Sequence, residues 1–192
     1  MPGYTIVEQE QLLELAQESV IATVHKKPLP TPQWTDLSPR LAEPGASFVT
    51  LTIGDRLRGC IGTLQATLPV AEDVVLRANA AARDDPRFPP VSEAELARLS
   101  YEISVLSASL PLAYDRAEDL LGRLRPGVDG VILVYGFQRA TFLPQVWERV
   151  PDPVQFLGML CRKAGLPTDA WRTLPLEIST YQVQSFHHEA GS

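Results

Sequence analysis

Ser47-Phe48-Val49-Thr50-Leu51-Thr52-Ile53, then Gly54-Asp55, then Arg56-Leu57-Arg58-Gly59-Cys60-Ile61 is the stretch whose reading decides the fold. Apolar and polar residues alternate at period two on both sides of Gly54-Asp55, a two-residue hairpin turn, so the segment predicts two antiparallel strands. The same logic predicts a second hairpin from 130–134 and 139–143 around Tyr135-Gly136-Phe137, a strand over 101–105 and a last strand over 176–186. Helical spacing appears at Leu12, Leu15, Ala16, Val20 and Val24, opposite Glu8, Glu10, Glu14 and Glu18. Thr67, Pro69, Glu72 and Asp73 begin a second helix running to about Ala82, and Ser92 to Glu95 fits the capping box of a short third. A fourth is expected from about Asp115 to Pro126-Gly127, and a fifth opens at Asp152-Pro153 and stops at Gly165. Strands that meet through hairpins, with helices intervening irregularly, define an α+β protein with a largely antiparallel sheet and flanking helices. With no internal repeat and no long linker, residues 1–192 read as a single domain.

Composition removes several function classes. Seventeen Lys and Arg against 23 Asp and Glu give a formal net charge of −6, which works against a nucleic-acid surface. No apolar run approaches the ~20 residues that span a bilayer. The N-terminus lacks the basic region and apolar core of a signal peptide. A soluble, cytoplasmic protein with no membrane partner and reduced thiols is expected. Two cysteines and three histidines are too few for a thiolate cage, so no metal is expected. Motifs for nucleotides, dinucleotides, zinc proteases and α/β-hydrolases are missing, and no cofactor is implied. The proline-rich stretch 28–44 reads as a surface connector or, alternatively, as a ligand for polyproline-binding domains.

Chemistry concentrates around Cys60. If 57–61 is extended, Arg58 and Cys60 share a face, and a guanidinium beside a thiol favours the nucleophilic thiolate. Gly59 and Gly62 permit a close backbone approach by another group. The bland alternative makes Cys60 a small buried hydrophobe and the glycines part of a bulge. In the stiff loop Asp84-Asp85-Pro86-Arg87-Phe88-Pro89-Pro90, the Asp85/Arg87 pair would bind a polar substrate group or pair with the sheet, and Phe88 would dock into the core. Gln145, in Phe142-Leu143-Pro144-Gln145-Val146, offers a donor and an acceptor at a strand end. Cys161, on the apolar face of its helix, reads as core, and His25, His187 and His188 fall at a helix end and near the C-terminus.

Leu57-Arg58-Gly59-Cys60-Ile61-Gly62, with Ser47-Phe48-Val49-Thr50-Leu51 before it and Asp85-Pro86-Arg87-Phe88-Pro89-Pro90 after it, resembles the AMMECR domain, whose bacterial members are called AmmeMemoRadiSam system protein A. The resemblance continues through 102–106, 142–146 and 156–167 to Trp171 and Tyr181. It implies two unequal lobes on an antiparallel sheet with the motif near a cleft between them. It also implies association with a MEMO-type, dioxygenase-like protein and a radical-SAM protein, but brings no established reaction. Where many members carry Gly-x-His-Gly, this chain has Gly127-Val128-Asp129-Gly130, so no Cys-His pair is available there, and Asp129 is left to orient a substrate or accept a proton. Two functions follow as expectations. One is an enzyme or modification-pathway component acting on an unknown small molecule or peptide through Cys60, with Arg58, Asp85, Arg87, Gln145 and Asp129 in support. The other is a non-catalytic adaptor for the MEMO-type or radical-SAM partner.

Overall fold

The computed structural model describes residues 3–190. In chain order its elements are α1 (Ile6–Val24), β1 (Pro44–Ile53), β2 (Arg56–Gly62), β3 (Leu68–Pro69), α2 (Val70–Arg83), β4 (Leu99–Leu106) and β5 (Leu110–Pro111). They continue with α3 (Ala117–Arg123), β6 (Gly130–Tyr135), β7 (Gln138–Phe142), α4 (Val146–Arg149), α5 (Pro153–Lys163), α6 (Ala170–Thr173), β8 (Glu177–Tyr181) and β9 (Val183–His188). The chain divides into two compact units, residues 3–106 with 184–190, and residues 107–183. The class is α+β as expected, with the strands in two sheets rather than one.

The first unit is built on the order β2-β1-β4-β9, with β3 pairing to the start of β1. Both β1 pairings are antiparallel, so Thr50 stands between Cys60 of β2 and Glu102 of β4. One face of this sheet, carrying Val49, Leu51, Ile103 and Val105, packs with Leu12, Ala16 and Val20 of α1 and Val74 and Ala78 of α2 in one core. Glu8 does not join the solvent face of α1. It is buried, because its carboxylate accepts from the Thr5 N–H at 2.8 Å and from the Ser38 hydroxyl at 2.7 Å in a capping box. The expected third helix is a 3₁₀ turn, Glu93–Arg98, closed by the Ser92/Glu95 capping box. In the proline-rich stretch Leu29 packs against the core and Pro32 is buried, so the segment is a docked connector with part of any polyproline face covered.

The second unit carries the order β5-β8-β6-β7. Its core gathers Leu120, Val131, Leu133, Trp147, Phe156, Leu160 and Trp171, with the Trp147 and Phe156 rings stacked 3.6 Å apart. Helix α3 starts at Ala117, two residues later than expected, where the Asp119 carboxylate accepts from the Arg116 N–H at 3.0 Å. The expected single strand over 176–186 is two strands in different sheets. The break falls at Gln182, whose carbonyl accepts from the Ser107 N–H at 2.8 Å and whose N–H donates to the Ser107 hydroxyl at 2.9 Å. A side chain's sequence alternation does not register such a change of partner.

Candidate functional site

The hairpin register decides where Cys60 points. Ile53 and Thr52 stand opposite Arg56 and Leu57, whereas Leu51, Thr50 and Val49 stand opposite Gly59, Cys60 and Ile61. Arg58 is the residue left over, a β-bulge. An unbroken ladder from Gly54-Asp55 would set Cys60 opposite Val49, which is fully buried in the helical core. The bulge sets it opposite Thr50 instead, on the other face, since a slip of one residue exchanges the faces of a strand. Cys60 is accordingly half-buried, and the Thr50 hydroxyl donates to its Sγ at 3.2 Å.

Cys60 turns its main-chain groups away from β1, towards the loop after α2. Its N–H donates to Asp85 Oδ2 at 2.9 Å, and its carbonyl accepts from Arg87 at 3.4 Å. Arg87 grips Asp85 in a fork, Nε to Oδ1 at 2.9 Å and Nη2 to Oδ2 at 2.7 Å. The loop thus substitutes for a neighbouring strand along the edge of the sheet and blocks further pairing there. The hydrogen bonds from Arg87 hold the Asp85 carboxyl far below the usual range, against the opposing pull of its burial. Of the two readings of the Asp85/Arg87 pair, contact with the sheet is the one present, and it is made to backbone.

Arg58 does not follow the uninterrupted alternation expected across 57–61. Its guanidinium reaches Glu95 at 2.6 Å through Nε and 3.2 Å through Nη2, and donates to the carbonyls of Pro89 and Pro90 at 2.9 and 3.1 Å. The hydrogen bond from Arg58 brings the Glu95 carboxyl down to about 2. Phe88 is not part of the buried core. Its ring lies half-buried under the guanidiniums of Arg87 and Arg58, 5.5 and 6.0 Å from its centroid.

The two glycines answer to packing. A Cβ on Gly59 would lie 2.2 Å from the Ala81 carbonyl oxygen of α2, and one on Gly62 would lie 2.2 Å from the Phe48 ring across the ladder. Arg58, Gly59, Cys60, Gly62, Asp85 and Arg87 are therefore gathered in one place, together with two residues that sequence reasoning did not single out as site residues, Thr50 and Glu95. Thr50 was hidden by the bulge, because counting back from the turn pairs it with Gly59.

Asp129 and Gln145 belong to the second unit. Asp129 is buried, and its carboxylate accepts from the Arg125 guanidinium at 2.6 Å and the Arg125 N–H at 3.0 Å, while its carbonyl accepts from the Trp147 indole at 2.8 Å. Gln145 is exposed at the start of α4. Cys161 is buried as expected, and burial pushes its thiol up. Among the described residues no group of three or more His, Cys, Asp and Glu side chains is arranged to hold a metal ion, and no helix is long and apolar enough to cross a membrane.

An α+β chain with this clamped, thiol-bearing hairpin has relatives among archaeal proteins. The AMMECR1 family model matches residues 13–186, running through both units, and the chain belongs to that family. It is 40% identical over 162 residues to a Thermofilum pendens protein, covering 79% of this chain and 76% of that one. It is 37% identical over 185 residues to protein Mbar_A1807 of Methanosarcina barkeri, covering 95% and 91%. The crystal structure of the uncharacterized protein PH0010 from Pyrococcus horikoshii is similar at a TM-score of 0.80 and 32% identity, covering 93% and 90% of the two chains.

Proposed function

We propose that the chain is a cytoplasmic component of a modification pathway in which the Cys60 thiol is the nucleophile or the group that holds the substrate, a small molecule or a peptide. The observation that carries this reading is the bulge at Arg58, which turns the thiol out of the helical core to stand half-buried beside the Thr50 hydroxyl. Asp85 and Arg87 fix the backbone on either side of the sulfur, which limits the positions the thiol explores. Arg58 braces the loop through Glu95, and Gly59 and Gly62 let the hairpin pack closely. The single family match over residues 13–186 supports reading residues 1–192 as one working domain. The test is a deletion strain complemented with Cys60→Ser and profiled for metabolites and peptides. The variant is expected to leave the deletion profile in place while the protein stays folded. A profile restored to wild type ends the nucleophile role.

A second reading is favoured by what the site has already committed. The Cys60 N–H is taken by Asp85 and the Arg58 guanidinium by Glu95 and two carbonyls, so neither is free to stabilise a developing oxyanion. On this reading the chain is a non-catalytic adaptor that binds a MEMO-type or radical-SAM protein. Co-sedimentation of the purified proteins at micromolar concentration tests it, and separate migration of the two counts against it.

A further inference from the structure

The second unit holds a surface trough of about 380 Å3 that shares no residue with the Cys60 site. One wall is a single face of α5, made of two rows at helical spacing, Val154, Gly158 and Arg162 four apart and Gln155 and Met159 four apart beside them, turned away from the buried Phe156 and Leu160. The other wall is Thr168, Asp169, Trp171 and Arg172. Gly158 lies inside the helix, where glycine costs about 1 kcal/mol against alanine, and a Cβ there would meet the Thr168 carbonyl at 3.3 Å. Its absence lets the two walls sit close.

We propose that this trough docks a peptide segment carrying a carboxylate beside a bulky apolar side chain. Apolar contact is available because Met159 is 45% and Val154 37% exposed, while the other large apolar side chains of α5, Phe156, Leu157 and Leu160, are in the core. A thioether in such a place adapts to different apolar partners. Charge selects an acidic partner. Among the described residues the Arg162 guanidinium makes no ion pair or hydrogen bond, and the Arg172 guanidinium stacks on the Trp171 ring at 4.4 Å with no carboxylate partner. Asp169 is the one carboxylate in the lining, so two guanidiniums outweigh it, on a protein whose overall charge is −6. Shape selects a peptide. The α5 wall runs from Val154 to Arg162, about 12 Å of helix, which suits a short extended or helical segment lying along it.

Met159 is one of only two methionines in the chain, so 13C-methyl-methionine NMR of the intact protein reads the trough directly. The probe is an acetylated, amidated heptapeptide, Glu-Leu-Leu-Glu-Leu-Leu-Glu. It is expected to move the Met159 methyl signal saturably. The Gln-for-Glu peptide, and the Arg162→Glu and Arg172→Glu variants with the original peptide, are each expected to bind at least about tenfold more weakly, since each removes at least one charge-assisted contact. Both arginines are exposed, and agreement between the two variants guards against a fault in either. The proposal is overturned by no movement of the signal up to millimolar peptide, or by equal binding of the Gln peptide. Sodium octanoate binding as tightly as the peptide would assign the trough to free acids instead. A signal that moves with protein concentration alone would assign it to self-association.

Discussion

The two β-hairpins share a plan and differ in one residue. Each turns on two residues of which the first is a glycine with positive φ, Gly54 at 56° and Gly136 at 59°, the pattern of a II′ turn. Each strand pair leaves an edge that side chains guard: Asp85 and Arg87 over β2, Lys163 and Gln138 at β7, where the Lys163 amine donates to the Thr141 carbonyl at 2.9 Å. Each sheet also seats an aromatic ring over a cross-strand glycine, Phe48 on Gly62 and Tyr181 on Gly130. The second hairpin is regular from Tyr135 and Gln138 to Val131 and Phe142, and its register has one sum throughout. The first has the extra residue Arg58, and with it come a face exchange, a half-buried thiol and a clamp whose carboxylate is buried. The irregularity and the half-buried thiol coincide in one hairpin, while the regular one serves packing.

The clamps should differ most in energy. Asp85→Ala leaves the Cys60 N–H without its acceptor and strips Arg87 of its carboxylate, and about 3 kcal/mol of stability should go. Lys163→Met removes an exposed donor from a carbonyl that water can reach, and should cost less than about 1 kcal/mol. Urea midpoints of both variants check this. Equal losses would mean that the two edges are guarded in the same way.

Close packing against α2 is the next difference. Gly59→Ala places a methyl group 2.2 Å from the Ala81 carbonyl oxygen, and since this is helix backbone rather than a flexible side chain the hairpin must shift, at about 1–3 kcal/mol. The same exchange at Gly122, in α3 with nothing within 4 Å, should be neutral or stabilise by up to about 1 kcal/mol. Thermal unfolding of the pair measures the contrast, and a harmless Gly59→Ala would remove the packing account of that glycine.

Much of the fold was legible because local chemistry and tertiary structure agree. The Ser92/Glu95 capping box and the Asp152-Pro153 helix start each use a side chain within three residues of the backbone it serves, and the Gly54-Asp55 turn uses the positive φ of its own glycine. What was not legible depends on partners distant in sequence. Alternation across 176–186 continues through Gln182 although the strand changes sheets, because the device that ends it is Ser107. For the candidate site, the residue types in the Leu57–Gly62 motif and the Asp85/Arg87 loop were readable, but their pairing was not. Arg58 meets Glu95, 37 residues away, and the bulge that gives Cys60 its neighbour Thr50 is a count of one that no composition signals.

Acid should separate the layers of the first hairpin's guard, with the smallest effect of the three. Glu95 has a folded value near 2, set first by the hydrogen bond from Arg58, against an ordinary glutamate value of about 4.3. A carboxyl lowered by folding stabilises fully above its ordinary value, and that contribution is lost as pH falls through the folded value. The Arg58–Glu95 bridge therefore weakens over roughly pH 4.5 to 2. Asp85 is held lower still, so its hold on the Cys60 N–H should outlast the Glu95 hold on the Ser92 N–H, a 2.8 Å bond. Amide exchange followed by NMR down this range should show Ser92 losing protection first and Cys60 later. The β7 edge, guarded by an amine and an amide with no carboxylate, should keep its protection throughout. Should Cys60 lose protection together with or ahead of Ser92, the Asp85/Arg87 fork is not what fixes the backbone beside the thiol, and the contrast between the two hairpins shrinks to the bulge alone.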